Sequence, residues 1–142
     1  MGQGRIRNDR RGLTGAGSQG ADMRFVIHHH ITQPDHYDLM IDRGESLQSW
    51  QIPSPLLPDL LAGREIASLR IQDHRRGYLD YQGPVSCDRG RVEILDTGEY
   101  TLGTECPPSL TITLSGRIFR GTLIISRPEG PQCLIRYKPA ED

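Results

Sequence analysis

Arg24-Phe25-Val26-Ile27-His28-His29-His30-Ile31, then Thr32-Gln33-Pro34-Asp35, then His36-Tyr37-Asp38-Leu39-Met40-Ile41-Asp42 reads as two strands joined by a turn. β-Branched and aromatic residues favour a pleated surface in both arms. Between them Pro34 cannot donate to a ladder and turns Gln33 away from helix, so the chain reverses there. The two-residue period of a strand puts Phe25, Ile27, His29 and Ile31 on one face, and Val26, His28, His30 and Thr32 on the other. His36, Asp38 and Met40 share a face opposite Tyr37, Leu39 and Ile41. With an odd loop, paired residue numbers sum to 66, so His30 faces His36 and His28 faces Asp38. Directly opposed Cβ atoms then stand ~4.5–5.5 Å apart. An even loop would put His30 across the sheet from His36.

Outward from this hairpin the same texture continues, with short apolar or alternating runs broken by turn residues every eight to twelve positions. That spacing predicts a mainly β fold, a small closed or partly open antiparallel β-barrel. Strands are expected near 24–31, 36–42, 47–52, 66–72, 78–82, 91–95, 110–114, 118–126 and 133–138. One short helix is expected over 55–62, with Ser54 as N-cap, Pro55 at N1 and Gly63 past its end. Residues 1–22 carry six glycines and four arginines and little to bury, so a disordered Gly/Arg-rich tail is expected there, ahead of a domain at 23–142.

The chain has 142 residues, enough for one domain, with 17 Lys+Arg against 18 Asp+Glu. A net charge of -1 advertises no broad field for a polyanion, so any phosphate grip must be local. No run is long and apolar enough to span a membrane and no signal-peptide core is seen, which predicts a cytoplasmic protein, expected as a monomer. Cys87, Cys106 and Cys133 are odd in number and far apart, so neither a disulfide framework nor a thiolate zinc site is indicated.

Four of the five histidines fall within nine residues, alongside Asp38. If the hairpin register is as expected, His30, His36 and Asp38 converge on one divalent ion. Two imidazoles and a carboxylate suit Mn²⁺, Zn²⁺ or Fe²⁺ better than the all-oxygen preference of Mg²⁺ or Ca²⁺. His74 stands alone downstream. A straight strand would bring Ser68, Arg70, Gln72 and His74 to one face, offering Arg70 as a phosphate-binding cation beside a histidine proton donor.

Phe25 to His30 followed by His36-Tyr37-Asp38-Leu39 resembles the opening hairpin of the 3'-phosphoesterase domain family of bacterial DNA ligase D and its stand-alone homologues. Ser49-Trp50-Gln51-Ile52-Pro53, Asp73-His74 with Tyr78 and Tyr81-Gln82-Gly83, and the run from Gly90 to Tyr100 continue the likeness, which extends to the closing strands. The resemblance implies a β-barrel hydrolase that trims DNA or RNA 3' ends in DNA repair, using Mn²⁺ to convert a 3'-phosphate or 3'-ribonucleotide to a 3'-hydroxyl. It implies metal ligands at His30, His36 and Asp38, and catalytic contacts to the scissile phosphate from His74 and Tyr78. Its implied partners are nucleic-acid 3' ends and a separately encoded ligase or polymerase.

Departures stand beside it. Met40 and Ser54 occupy positions where the family carries phosphate-gripping cations, Ile66 replaces an arginine, Gln82 a glutamate and Leu95 a tryptophan. The acidic and basic residues that the family places ahead of its barrel have only Arg10, Arg11 and Asp22 as candidates. These losses support a second reading, a catalytically weakened metal-binding accessory of an end-joining system. A third, a non-haem iron oxygenase, follows from His36-x-Asp38 as part of a facial triad.

Overall fold

The computed structural model describes residues 23–106 and 109–141. The tail expected over 1–22, with Arg10, Arg11 and Asp22, lies outside them. Nine strands follow in order: β1 (Arg24–Ile31), β2 (His36–Asp42), β3 (Leu47–Pro53), β4 (Ile66–His74), β5 (Gly83–Pro84), β6 (Arg91–Cys106), β7 (Ser109–Ser115), β8 (Arg120–Ser126) and β9 (Gln132–Pro139), with one helix, α1 (Leu57–Leu61), between β3 and β4. Sheet order is β1-β2-β3-β4-β9-β8-β7-β6-β5, and β1 also pairs with β6. That extra pairing closes eight antiparallel strands into the expected barrel, with β5 appended. Strand β6 can serve two neighbours because it is long: its first half pairs with β1 and its second with β7.

Phe25, Ile27, Leu39, Ile41, Trp50 and Ile52 point into the barrel and are almost wholly buried. Each contributes ~1.5–3 kcal/mol by leaving water. The opposite parity of the same strands is buried as well: Val26, Met40 and Leu47 pack with Leu79 outside the barrel. Runs such as Phe25-Val26-Ile27 and Leu39-Met40-Ile41 are apolar throughout because the chain between β4 and β6 covers their outer side.

That covering segment corrects one expectation. Residues 78–82 do not form a strand; Arg76–Leu79 is a 3-10 turn. Both edges of β1 are already taken by β2 and β6, so no edge is open to it there, and the segment folds over the outer face and buries Leu79. The helix is also shorter than expected. Ser54–Leu56 is a 3-10 turn preceded by Pro53, α1 is a little over one turn, and Ser54 makes no cap. Pro53, Pro55 and Pro58 remove the amides that a longer N-terminal turn would use.

Strand β8 starts at Arg120 rather than 118 because the β7–β8 turn is held from outside the hairpin. The buried Asp96 carboxylate accepts hydrogen bonds from the backbone N–H groups of Thr97, Arg117, Ile118 and Phe119, at 2.8–3.1 Å. At the other rim the Tyr100 hydroxyl donates to the Asp42 carbonyl at 2.7 Å. Tyr100→Phe leaves that carbonyl without its partner and is expected to cost about 1–2 kcal/mol in denaturant unfolding, with an unchanged m value. Among the described residues no helix is long and apolar enough to cross a membrane.

Candidate metal centre and its cleft

The β1–β2 register pairs His30 with His36 and His28 with Asp38, as the odd loop requires. His30, His36 and Asp38 therefore emerge together on the outer side of the barrel. His30 Nδ1 and His36 Nε2 are 3.1 Å apart, and the Asp38 carboxylate lies 3.4 Å from His36 Nε2 and 3.8 Å from His30 Nδ1. Metal–ligand bonds of ~2.1 Å separate ligand atoms by ~3.0–3.4 Å, so the spacing is close to that of a bound ion's shell.

The outer nitrogens fix the tautomers. His30 Nε2–H donates to the Arg89 carbonyl at 2.7 Å, and His36 Nδ1–H donates to the Pro34 carbonyl at 3.2 Å. Neutral rings held this way aim two lone pairs at one another and at a carboxylate, and that arrangement is favourable only around a proton or a cation. Asp38 Oδ1 is buried without a hydrogen-bond partner, a cost that a bound ion would remove. Close approach to the Asp38 carboxylate raises the His36 pKa above its usual value despite partial burial. The three residues fit a divalent metal, and their ligand atoms all lie within 4.8 Å of one another.

Gly90 makes the His30 support feasible. Its φ is +77°, and a Cβ there would stand 2.0 Å from the Ile31 carbonyl oxygen, so only glycine lets the 85–90 loop pass this close to the end of β1 and present the Arg89 carbonyl. His29 points to the other face, as its parity requires. It bonds Asp35 at 2.6 Å and stacks on Tyr37, away from the other three histidines of the hairpin.

Beside the three ligand candidates runs a cleft of about 280 Å³, bordered among others by His28, His74, Arg75, Tyr78 and Arg89. His74 reaches it from the end of β4. The Ser49 hydroxyl donates to the Leu47 carbonyl at 2.9 Å, so it accepts from His74 Nδ1–H at 3.0 Å and leaves Nε2 as the ring nitrogen that Ser49 does not engage. The Tyr78 ring meets His74 edge-on at 5.5 Å and His28 at 6.1 Å.

Arg70 does not border this cleft. Leu47 pairs with His74 but Ser49 with Ile71, so β4 carries one extra residue between them. The bulge reverses parity: Ile66 and Ser68 face inward, Arg70 lies over the Trp50 ring at 5.6 Å, and His74 turns outward. The Arg70 guanidinium donates to Asp73 and to the carbonyls of Ser49 and Ile71. Burial pushes the Asp73 carboxyl up, but the Arg70 and Ser46 hydrogen bonds and the Arg70 charge hold it below the usual carboxylate range.

Three cleft residues were not singled out from sequence. His28 is buried, its pKa driven down by burial against the opposing pull of Asp38 and the Tyr81 backbone, and its Nε2 is without a partner. Its parity with His30 was a usable signal. Arg75 adjoins His74 in sequence, whereas Arg89 sits in a loop that no periodicity marks.

Residues 28–127 match the model of the DNA Ligase D 3'-phosphoesterase domain. The chain belongs to that family. Among its relatives, the multifunctional non-homologous end joining protein LigD of Mycobacterium bovis is 33% identical over 79 residues, 54% of this chain and 10% of that protein. A Mycobacterium tuberculosis multifunctional non-homologous end joining DNA repair protein LigD matches at the same identity and coverage. The matched stretch is thus a tenth of the length of these relatives. Within the 3'-phosphoesterase domain family pattern, the departures have structural counterparts here. Met40 fills the apolar layer under Leu79, Ile66 fills the barrel, and Gln82 Oε1 accepts from the Ile94 amide at 2.9 Å.

Proposed function

We propose that this chain is a metal-dependent 3'-phosphoesterase that converts a DNA or RNA 3'-phosphate or 3'-ribonucleotide to a 3'-hydroxyl during DNA repair. The convergence of His30 Nδ1, His36 Nε2 and the Asp38 carboxylate beside a cleft that also holds His74 and Tyr78 carries this reading. Membership of the 3'-phosphoesterase domain family supports the same reaction class. Mn²⁺ is the favoured ion on the resemblance, with Zn²⁺ or Fe²⁺ compatible with the donor set.

When bound, a divalent ion supplies Lewis-acid polarisation of the phosphoryl group and offsets its charge. The remaining work falls to side chains. His74, held through Nδ1 by Ser49, presents Nε2 to the cleft and donates a proton to the departing 3' oxygen as its bond to phosphorus breaks and a water oxygen takes its place, releasing inorganic phosphate from a 3'-phosphate end. Tyr78, against the His74 ring, positions the phosphate. Among the described residues Arg75 and Arg89 are the arginines that border the cleft, and in this reading they, rather than Arg70, grip the phosphate.

Arg75→Ala and Arg89→Ala are each expected to lower kcat/KM for a 3'-phosphorylated primer by about 10²-fold. Mn²⁺ affinity should stay constant in both, since Arg89 supports His30 through its carbonyl rather than its side chain. Calorimetric titration beside the kinetics checks the pair of outcomes.

Burial of Met40 and the engagement of Arg70 by Asp73 favour one alternative, a metal-binding accessory with weak turnover. Incubation with Mn²⁺ and a primer ending in 3'-phosphate separates the two. Release of phosphate and a 3'-hydroxyl end supports the enzyme; Mn²⁺ binding without product, while an active relative in the same assay gives product, supports the accessory. In either case the partners are nucleic-acid 3' ends, together with a separately encoded ligase or polymerase that uses the repaired end.

A further inference from the structure

Tyr78 is a wall between two hollows. On one side is the cleft of His30, Asp38 and His74; on the other a larger hollow of about 470 Å³ is bordered by Arg75, Gly77, Tyr78, Tyr81, Pro84 and Ser86. That volume lies within the ~300–1,000 Å³ of small-molecule sites. Arg75 also borders both. The rings run in series, His74 edge-on to Tyr78 and Tyr78 edge-on to Tyr81, each pair with centroids 5.5 Å apart.

Tyr81 is the outermost of these rings and is built into place. It is 36% exposed, yet its hydroxyl donates to the Pro84 carbonyl. Gly83, at φ +146°, allows the ring to fold across the chain: a Cβ there would stand 2.9 Å from the Tyr81 hydroxyl oxygen. An aromatic side chain fixed by its hydroxyl and a neighbouring ring, and still open to solvent, offers a pre-formed stacking surface at little entropic cost.

We propose that this second hollow receives the nucleobase of the nucleotide whose 3'-phosphate occupies the neighbouring cleft, with the base stacked on Tyr81. The inference rests on the phosphoesterase reading of the cleft and deepens it. A base and its 3'-phosphate are joined through one sugar, and here an aromatic surface and a phosphate cleft are joined through one shared ring, with Arg75 at the junction to meet backbone charge. Among the described residues no carboxylate or side-chain amide borders the hollow to read base edges. The site therefore selects for the presence of a base and accepts any of the four, as stacking platforms do.

The test compares single-stranded oligonucleotides ending in a 3'-phosphate on a normal nucleotide with the same strand ending in a 3'-phosphorylated abasic tetrahydrofuran. Affinity is read by anisotropy and hydrolysis in the same samples with Mn²⁺. The expected result is about tenfold tighter binding of the base-bearing end, within threefold for all four bases. Tyr81→Ala should remove that preference and Tyr81→Phe should retain most of it, with near-ultraviolet circular dichroism confirming that both variants fold. Equal affinity for the two ends in the wild-type protein, or an intact preference in folded Tyr81→Ala, overturns the proposal. Hydrolysis without base preference defeats the base pocket and leaves the phosphoesterase standing; base preference without hydrolysis does the reverse.

Discussion

Asp38→Asn is expected to abolish tight Mn²⁺ binding and to reduce 3'-phosphate removal by more than about 10²-fold, with the barrel intact. Losing a residue that only supports a metal ligand commonly costs 10–100-fold in affinity or activity, and Asp38 stands among the ligand candidates themselves. A readout independent of turnover is thermal stability. At a free metal concentration of a hundred times Kd, binding to the native state adds ~2.7 kcal/mol, so Mn²⁺ should raise the Tm of the wild-type protein and leave that of Asp38→Asn unmoved. The pH dependence carries a definite sign. The Asp38 carboxylate raises the His36 pKa, so in the metal-free protein this pair contributes stability that is fully present below the unfolded histidine value and is lost as pH rises through the raised one. Metal needs the neutral ring, so Mn²⁺ affinity should move the opposite way and weaken as pH falls through the same range. Parallel Tm curves with and without Mn²⁺ across pH 5.5 to 8 would contradict this assignment.

Asp96→Ala is expected to destabilise the fold by about 3 kcal/mol or more. Its carboxylate collects four backbone N–H groups from Thr97 and the 117–119 turn, of which that of Phe119 is buried and the others part-buried, so they do not all find water when it is removed. The turn is moulded around it: a Cβ at Gly116 would stand 2.4 Å from Asp96 Oδ2. At ~2–4 °C per kcal/mol for a chain of this size, the Tm should fall by roughly 10 °C. Asp96→Asn keeps the shape but loses the charge and two acceptor sites, so it should fall between. A Tm shift under 2 °C for Asp96→Ala would show that the clasp contributes little.

The hairpin was legible because its chemistry and its periodicity coincide. His30, His36 and Asp38 alternate with residues that must be buried, so the parity that packs Ile27 and Leu39 inside the barrel also sends the three ligand candidates outside together. Gly90 and Arg91 mark the start of β6, and the apolar alternation of β7 and β9 places those strands to within a residue at each end. Arg70 was misplaced because a bulge is one residue of extra backbone, without a compositional signature, and it reverses every side chain beyond it. The strand expected at 78–82 failed on tertiary grounds. Its residues have strand-like composition, but strand partners were already consumed by closure of β1 on β6, and Leu79 found its burial on the outside of the sheet instead. Arg75, Arg89 and Tyr81 belong to that covering segment, so their approach to the cleft depends on long-range packing that no local pattern records. Asp96 falls within the run from Gly90 to Tyr100, yet three of its four backbone partners lie more than twenty residues away.

Diffraction from a crystal grown with Mn²⁺, recorded at a wavelength where manganese scatters anomalously, puts the shared-ion arrangement to trial. A single strong anomalous peak bonded by His30 Nδ1, His36 Nε2 and the Asp38 carboxylate, with both outer imidazole nitrogens still on the Arg89 and Pro34 carbonyls, is the predicted result. No peak between those three side chains at saturating Mn²⁺, or a peak held by other residues, would contradict it.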